Sequence, residues 1–293
     1  HFDEPFADSS ALPTYMVSKM ARDYVTVVLS GDGGDELFAG YTRYVVDKKR
    51  SGLSKLPAFL RSGLLRPLAQ ILPHGAKGKN YLFNASLDDV DRYIDSVSHF
   101  NGMRRKSLYS EGFLQKLGGG FGEAEAIFRD YAGKIDTGNP IDKLLYLDSK
   151  TYLPSDILVK VDRMTMATSL EARTPLLDQK LIDFVTTIPT GLKLNGLETK
   201  SIFKKSMEGI VPKEILYREK QGFGVPINEW INSQLKDRIH DTLSDSRTLQ
   251  RGYFNRSYIE LLLDEHHKGR RDHSHSLWIL WMLELWHRRF LDK

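Results

Sequence analysis

A chain of 293 residues, 41% hydrophobic and 27% charged, has the balance of a globular protein and the length for one large domain or two ordinary ones. It holds no cysteine, which excludes disulfides, thiolate zinc sites and a cysteine nucleophile within it, and no stretch approaches the ~20 apolar residues of a membrane span. The net charge of +4 suits an anionic ligand, but the basic residues are interspersed. Runs such as Lys48-Lys49-Arg50 and Arg104-Arg105-Lys106 read as solvated helix faces, with no nucleic-acid motif beside them. A small phosphate-bearing ligand is the economical reading, and no basic and apolar secretory leader follows His1. The expectation is a cytoplasmic protein with no membrane or nucleic-acid partner.

In chain order, Leu12, Tyr15, Met16, Lys19 and Met20 space an amphipathic helix over residues 10–23, with Pro13 tolerated in its first turn. Val25 to Leu29 is a continuous β-branched and apolar run, the pattern of a parallel strand buried on both faces. Residues 30–36 read SGDGGDE, after which Leu37, Phe38, Tyr41 and Tyr44 resume helical spacing. Helices are expected over 55–71 with proline breaks, 88–100 and 103–117, with loops over 73–79 and 118–120. A long helical stretch over 140–166, interrupted at Pro154, leads into a polar loop and a helix over 178–187. After an irregular connection over 191–199, four helices follow over 201–208, 227–243, 257–267 and 276–290. One strand among so many helices is an odd inventory, because a parallel strand needs neighbours.

The segment Ser30 to Glu36 carries the chemistry most legible in the residues. A buried strand, a glycine turn and a helix bring backbone N–H groups together at the carboxyl edge of a sheet, where they bind anions. Gly31, Gly33 and Gly34 permit positive φ and close approach, and Ser30 adds a hydroxyl. Asp32, Asp35 and Glu36 would repel a bare phosphate, so they imply a bridging Mg²⁺; alternatively, Asp32 and Asp35 only cap the helix. His266, His267, His273 and His275 match no compact zinc spacing, and the stripe Trp278, Trp281, Leu285 belongs to a core or seam.

Four blocks in order resemble the asparagine synthetase family: VVLSGDGGDELFAGYTRY from Val27, LPSDILVKVDRMTMATSLEARTPLLD from Leu153, LYREKQGFGVP from Leu216 and GRRDHSHSLWILWMLELWHRRF from Gly269. The opening DEPFADSS, from Asp3 to Ser10, is similar to the same family. The resemblance implies an α/β fold of the ATP-pyrophosphatase type (adenine nucleotide alpha-hydrolase-like), this chain mostly helical with few parallel strands. It implies amide formation on aspartate through β-aspartyl-AMP, giving asparagine, AMP and pyrophosphate, with ATP and Mg²⁺ and with ammonia from glutamine.

By the same resemblance Asp35 would hold Mg²⁺, and Ser30, Gly31 and Gly33 would face the phosphates. Asp32 would contact the intermediate where relatives often carry the longer glutamate. Lys220, in a loop with Gln221, Gly222 and Gly224, would neutralise the leaving pyrophosphate. Lys160, Asp162 and Arg163 share one helical turn, with Glu171 and Arg173 on the loop beyond. Such mixed charges suit either a zwitterionic amino acid or a buried ion-pair network joining helix to loop. Asp162 and Arg163 are read as pocket residues, Glu171 and Arg173 as structural. Ser9 and Ser10 would line the amino-acid pocket or cap the following helix.

No SGG loop of the kind that wraps ATP in this family occurs in the sequence, nor does the glutaminase cysteine. The expected organisation is therefore residues 1–293 as the C-terminal part of a synthetase domain, inactive alone, with a homodimer as the candidate assembly. The alternatives are a β-lactam synthetase-like enzyme, an amidotransferase acting on sugars or peptides, and a non-catalytic binding module.

Overall fold

The computed structural model describes residues 1–54, 57–72, 78–118, 122–219 and 222–292. Helices dominate, and among the described residues the regular sheet has two strands. Helix α1, Ala11–Arg22, is followed by strand β1, Val27–Leu29, shorter than expected because the Val25 N–H still bonds the Ala21 carbonyl at 3.0 Å. A single turn, α2 (Gly34–Leu37), and then helix α3 (Thr42–Ser54) come next, separated by Ala39 at φ 55.

The second strand, β2, is Glu171–Arg173, where the sequence suggests a loop. It runs parallel to β1 in the register Val27↔Glu171, Val28↔Ala172, Leu29↔Arg173. Backbone bonds from Glu171 to Thr26, 2.9 Å, and from Ser30 to Arg173, 2.8 Å, continue the ladder at each end. Paired only with β2 among the described residues, β1 is not buried on both faces as expected: Val27 and Leu29 are exposed, Leu29 to 73%.

Helix α1 also inverts its expected orientation. Ala11, Thr14 and Ser18 are buried, while Leu12, Met16 and Met20 are exposed. The small residues let α1 pack closely on the helix Leu158–Met166, which is the contact that shapes the site below. Two other expected helices are each broken in two. The first divides into Gly102–Leu108 and Glu111–Lys116, where Tyr109 bridges to Phe254 and the Ser110 hydroxyl caps Phe113 N–H at 3.1 Å. The second divides into Ile227–Asn232 and Lys236–Ser244, the chain turning at Ser233.

Three buried clusters hold these elements. One joins Tyr44, Tyr93, Ile94, Leu144 and Leu147. Within it the fully buried Asp148 accepts hydrogen bonds from Arg43 at 2.7 and 3.1 Å, from Tyr93 at 2.5 Å and from Tyr44. A second cluster gathers Ile239, Leu243, Ile259 and Leu262 around Leu277, Trp278 and Trp281 of the helix Ser274–Phe290, so the tryptophan stripe is core. The third is small and packs Leu37 and Phe38 against Val185, with Phe38 stacked on Phe203 at 4.7 Å. It fixes the turn that leaves β1. Among the described residues, no helix is long and apolar enough to cross a membrane.

Candidate active site

The turn after β1 is shaped by one positive φ and two close approaches. Gly33 has φ 87, and a Cβ there would overlap the Leu177 side chain; Gly34 keeps an ordinary φ but is closely approached by Leu176, while Gly31 has an ordinary φ and open space around it. The Ser30 hydroxyl donates to Asp32 at 2.7 Å. Because α2 is a single turn, a helix dipole contributes little here, and the chief cation is a side chain the sequence reading missed. Lys200 places its ammonium 3.2 Å from the Asp35 carboxylate. Lys200 is itself held at φ 55, with its N–H on the Phe38 carbonyl at 3.1 Å. A Cβ on Gly40 would overlap both the Asp35 carboxylate and the Lys200 side chain, so glycine at 40 makes room for the pair.

The contact of α1 with the helix Leu158–Met166 accompanies a second ion pair, on the wall of a cavity that the turn also lines. Lys160 is buried and donates to Asp8 at 2.6 Å, and Asp8 also accepts from the Ser10 N–H and hydroxyl at 2.9 and 2.6 Å. Ser10 thus precedes α1 but makes no side-chain cap to it. Burial alone would raise the Asp8 pKa, yet the bonds from Lys160 and Ser10 and the ammonium charge hold it below the usual carboxylate range. Nearby, buried Glu36 accepts from the Tyr41 hydroxyl at 2.6 Å, and its other oxygen has no partner among the described residues. Burial raises the Glu36 pKa against that hydrogen bond.

The turn and the second ion pair line this one cavity of about 640 Å³, with Lys200 reaching Asp35 from outside its lining. Ser10, Ser30, Gly31, Asp32, Gly33 and Asp35 of the sequence-derived set all line it, joined by Asp8, Glu36, Tyr41, Tyr152 and Lys160. Ser9 instead lines a neighbouring cavity with Arg43 and Asp156. Asp162 and Arg163 are not among the walls. On a 3.6-residue helix Lys160, Val161 and Thr165 share the inward face and residues 162 and 163 point away. Arg163 is exposed and pairs with Asp3 at 2.6 Å.

Glu171 and Arg173 form no buried tie between helix and loop. Two apart on β2, they share one exposed face and pair with each other at 2.7 Å, while Ala172 faces the cavity. Lys220 and Gln221 lie outside the described residues; Gly222 and Phe223, which follow them, line the cavity. Among the described residues no three His, Cys, Asp or Glu side chains group to hold a metal. Asp35, on the cavity wall, is a single carboxylate of the kind that could share Mg²⁺ with phosphate oxygens.

Lys200 carried no local signal, since an isolated lysine before a short helix reads as surface. Asp8 sat unremarked beside the serines, and Lys160 was legible only as one charge among several.

The asparagine synthase family model matches residues 1–288. Over its whole length the chain is 34% identical to asparagine synthetase [glutamine-hydrolyzing] 1 of Bacillus subtilis (strain 168), covering 45% of that protein. It is 35% identical to a putative asparagine synthetase [glutamine-hydrolyzing] of Mycobacterium tuberculosis (strain ATCC 25618 / H37Rv), again over the whole chain and covering 44% of the relative. A more distant match, amidase chyE of Penicillium rubens (strain ATCC 28089 / DSM 1075 / NRRL 1951 / Wisconsin 54-1255), is 25% identical over 86% of the chain and 40% of that protein. The chain spans less than half the length of these relatives. With four motif blocks in order, a family match across nearly every residue and the glycine turn at the mouth of a two-signed cavity, the chain belongs to the asparagine synthase family.

Proposed function

We propose that this chain forms one wall of a site that activates the side-chain carboxylate of aspartate with ATP and passes the acyl group to ammonia. The products are asparagine, AMP and pyrophosphate. The observation that carries the reading is that one cavity is lined by the glycine turn with Asp35, which Lys200 pairs from behind the lining, and by the Asp8–Lys160 ion pair. The domain type is that of an ATP-pyrophosphatase.

Attack of the carboxylate on the α-phosphate expels pyrophosphate, and the charge that builds on the leaving group needs cations already in place. Lys200 supplies one at the glycine turn, and Lys220 is proposed as a second. Ser30 and the backbone of Gly31 and Gly33 receive phosphate oxygens. Mg²⁺ bound at Asp35 through those oxygens would neutralise further charge. Asp32, which accepts the Ser30 hydroxyl, is proposed to accept a hydrogen bond from the intermediate as well. Lys160, Asp8 and Glu36 offer both signs of charge to a zwitterionic amino acid. Having no cysteine, the chain offers no thiol for glutamine hydrolysis, so ammonia is proposed to come from elsewhere; having no SGG loop, the chain alone is proposed to be inactive.

The test uses the longest natural polypeptide that contains this chain, supplied with ATP, Mg²⁺, ammonia and aspartate, with nucleotides separated by chromatography. AMP and pyrophosphate in equal amounts, formed only with aspartate, support the reading. ADP and phosphate, or turnover with a larger acid but not aspartate, would sink it in favour of another reaction.

A further inference from the structure

The cavity that takes Ser9 shares two walls with the one just described. Asp8 and Tyr152 line both, so they form the partition between a main cavity of about 640 Å³ and a second of about 430 Å³. Asp156 lines the second cavity. It belongs to the wide turn Leu153–Ile157, which joins the helix Pro140–Lys150 to Leu158–Met166 and carries Asp156 one turn ahead of Lys160. Across the second cavity stand His99 and His275, their rings stacked at 5.2 Å.

The neighbouring cations are committed to other acids. Arg43 is bound by Asp148 and Lys160 by Asp8, and Asp156 itself forms no ion pair among the described residues. Burial and the like charge of Asp8 push its pKa up to about 6, while Lys160, the Tyr152 hydroxyl one turn earlier and Arg43 act the other way. Tyr152, edge-on to Tyr41 at 5.7 Å and under the Arg43 guanidinium at 4.7 Å, is fixed in the partition.

Amide formation from an acyl-adenylate needs a proton acceptor. The ammonia nitrogen forms a C–N bond, the C–O bond to AMP breaks, and one N–H proton must leave, because the phosphate of AMP departs as an anion without it. A carboxylate of ordinary acidity is a poor acceptor near neutrality, and an acceptor whose acidity is nearer the working pH serves better.

Resting on the acyl-adenylation reading, we propose that Asp156 receives this proton through the Tyr152 hydroxyl and releases it to the second cavity. Tyr152 passes its own hydroxyl proton to Asp156 as it takes one from the attacking nitrogen, so no charge is left in the partition. Asp156 is a positioning residue in this relay, acting through Tyr152, and the relay serves the amide-forming step alone.

The test separates the two half-reactions in the longest natural polypeptide containing the chain. Aspartate-dependent exchange of labelled pyrophosphate into ATP reads adenylation; asparagine formed from ammonia between pH 5.5 and 8.5 reads amide formation. For Asp156→Asn we expect exchange within about threefold of wild type, amide formation reduced on the order of 100-fold, and loss of the acidic limb near pH 6. Tyr152→Phe should show the same split, and Asp156→Glu should keep the limb. Hydroxylamine, uncharged at pH 7 and readily deprotonated after attack, should restore acyl transfer in Asp156→Asn to within about tenfold. Asp156→Asn that retains both rate and limb, or loses exchange and amide formation together, overturns the relay. Wild type with amide formation but no exchange overturns the adenylation reading, and the relay with it.

Discussion

The Lys200 ammonium sits 3.2 Å from the Asp35 carboxylate, and the backbone of Gly40 passes so close beneath that any side chain there would strike both residues. The pair therefore depends on two distant stretches of sequence and on the absence of a single carbon. Under the proposed reading, one charge of each sign beside the turn would let Asp35 hold Mg²⁺ while Lys200 offsets charge on the leaving pyrophosphate.

Replacing Lys200 by alanine should lower aspartate-dependent pyrophosphate exchange on the order of 100-fold, about 3 kcal/mol of transition-state stabilisation. Lys200→Arg should recover only part of it, because a guanidinium fork does not fit where a point charge was held. Initial-rate exchange assays on the purified variants check both statements, and equal rates for wild type and Lys200→Ala would remove the lysine from the mechanism.

Gly40→Ala should be felt in stability as well as in exchange. The added methyl overlaps Asp35 and Lys200, so the overpacking is expected to cost about 1–3 kcal/mol and to weaken exchange in proportion as the pair is displaced. Urea unfolding monitored by tryptophan fluorescence measures the first effect.

Far from the cavity, Glu284 is 3% exposed and takes bonds from Arg251 at 2.6 and 3.1 Å and from Arg288 at 2.8 Å. Glu284→Ala removes the buried carboxylate between two guanidinium groups, leaving Arg251 on Asp292 and Arg288 on Asp245, and should destabilise by about 2 kcal/mol. Burial would raise the Glu284 pKa, but the arginines lower it below the ordinary 4.5, so its contribution is present above that value and is lost as pH falls through the folded pKa. The difference between wild type and Glu284→Ala should accordingly shrink on acidification below pH 4, in urea melts taken across that range.

Asp156 should show the opposite sign. Its pKa is raised from 3.8 to about 6, so the folded state holds more protons than the unfolded one between those values. The stability it contributes is complete below the unfolded value and is lost as pH rises through about 6. Asp156→Asn, which removes a partly buried charge, should therefore stabilise the fold at pH 8 by about 1–2 kcal/mol after allowance for solvent screening, and by less at pH 5. Paired urea titrations at the two pH values decide it; an equal or larger gain at pH 5 would contradict the assigned environment.

How much of this could be read in the sequence varied with how local each feature is. The turn Ser30–Glu36 was legible because its glycines and acids stand together and follow an apolar strand. Strand β2 was not, because Glu171-Ala172-Arg173 has no apolar run and becomes a strand only by pairing with β1. The buried face of α1 is not legible in its periodicity: the partner helix demands close approach, so Ala11, Thr14 and Ser18 are buried and the larger Leu12 and Met16 are left outside. Asp162 and Arg163 were chosen over Lys160 because a one-turn grouping does not say which residue faces inward. Lys200 and Asp156 needed the fold itself, since each acquires its setting from residues remote in the chain or from a cavity wall.

The most direct measurement is exchange of labelled pyrophosphate into ATP by the longest natural polypeptide containing this chain, with and without aspartate, beside its Lys200→Ala variant. The account predicts exchange that requires aspartate and Mg²⁺ and falls about 100-fold in the variant. Exchange indifferent to aspartate, or equally fast without Lys200, would contradict it.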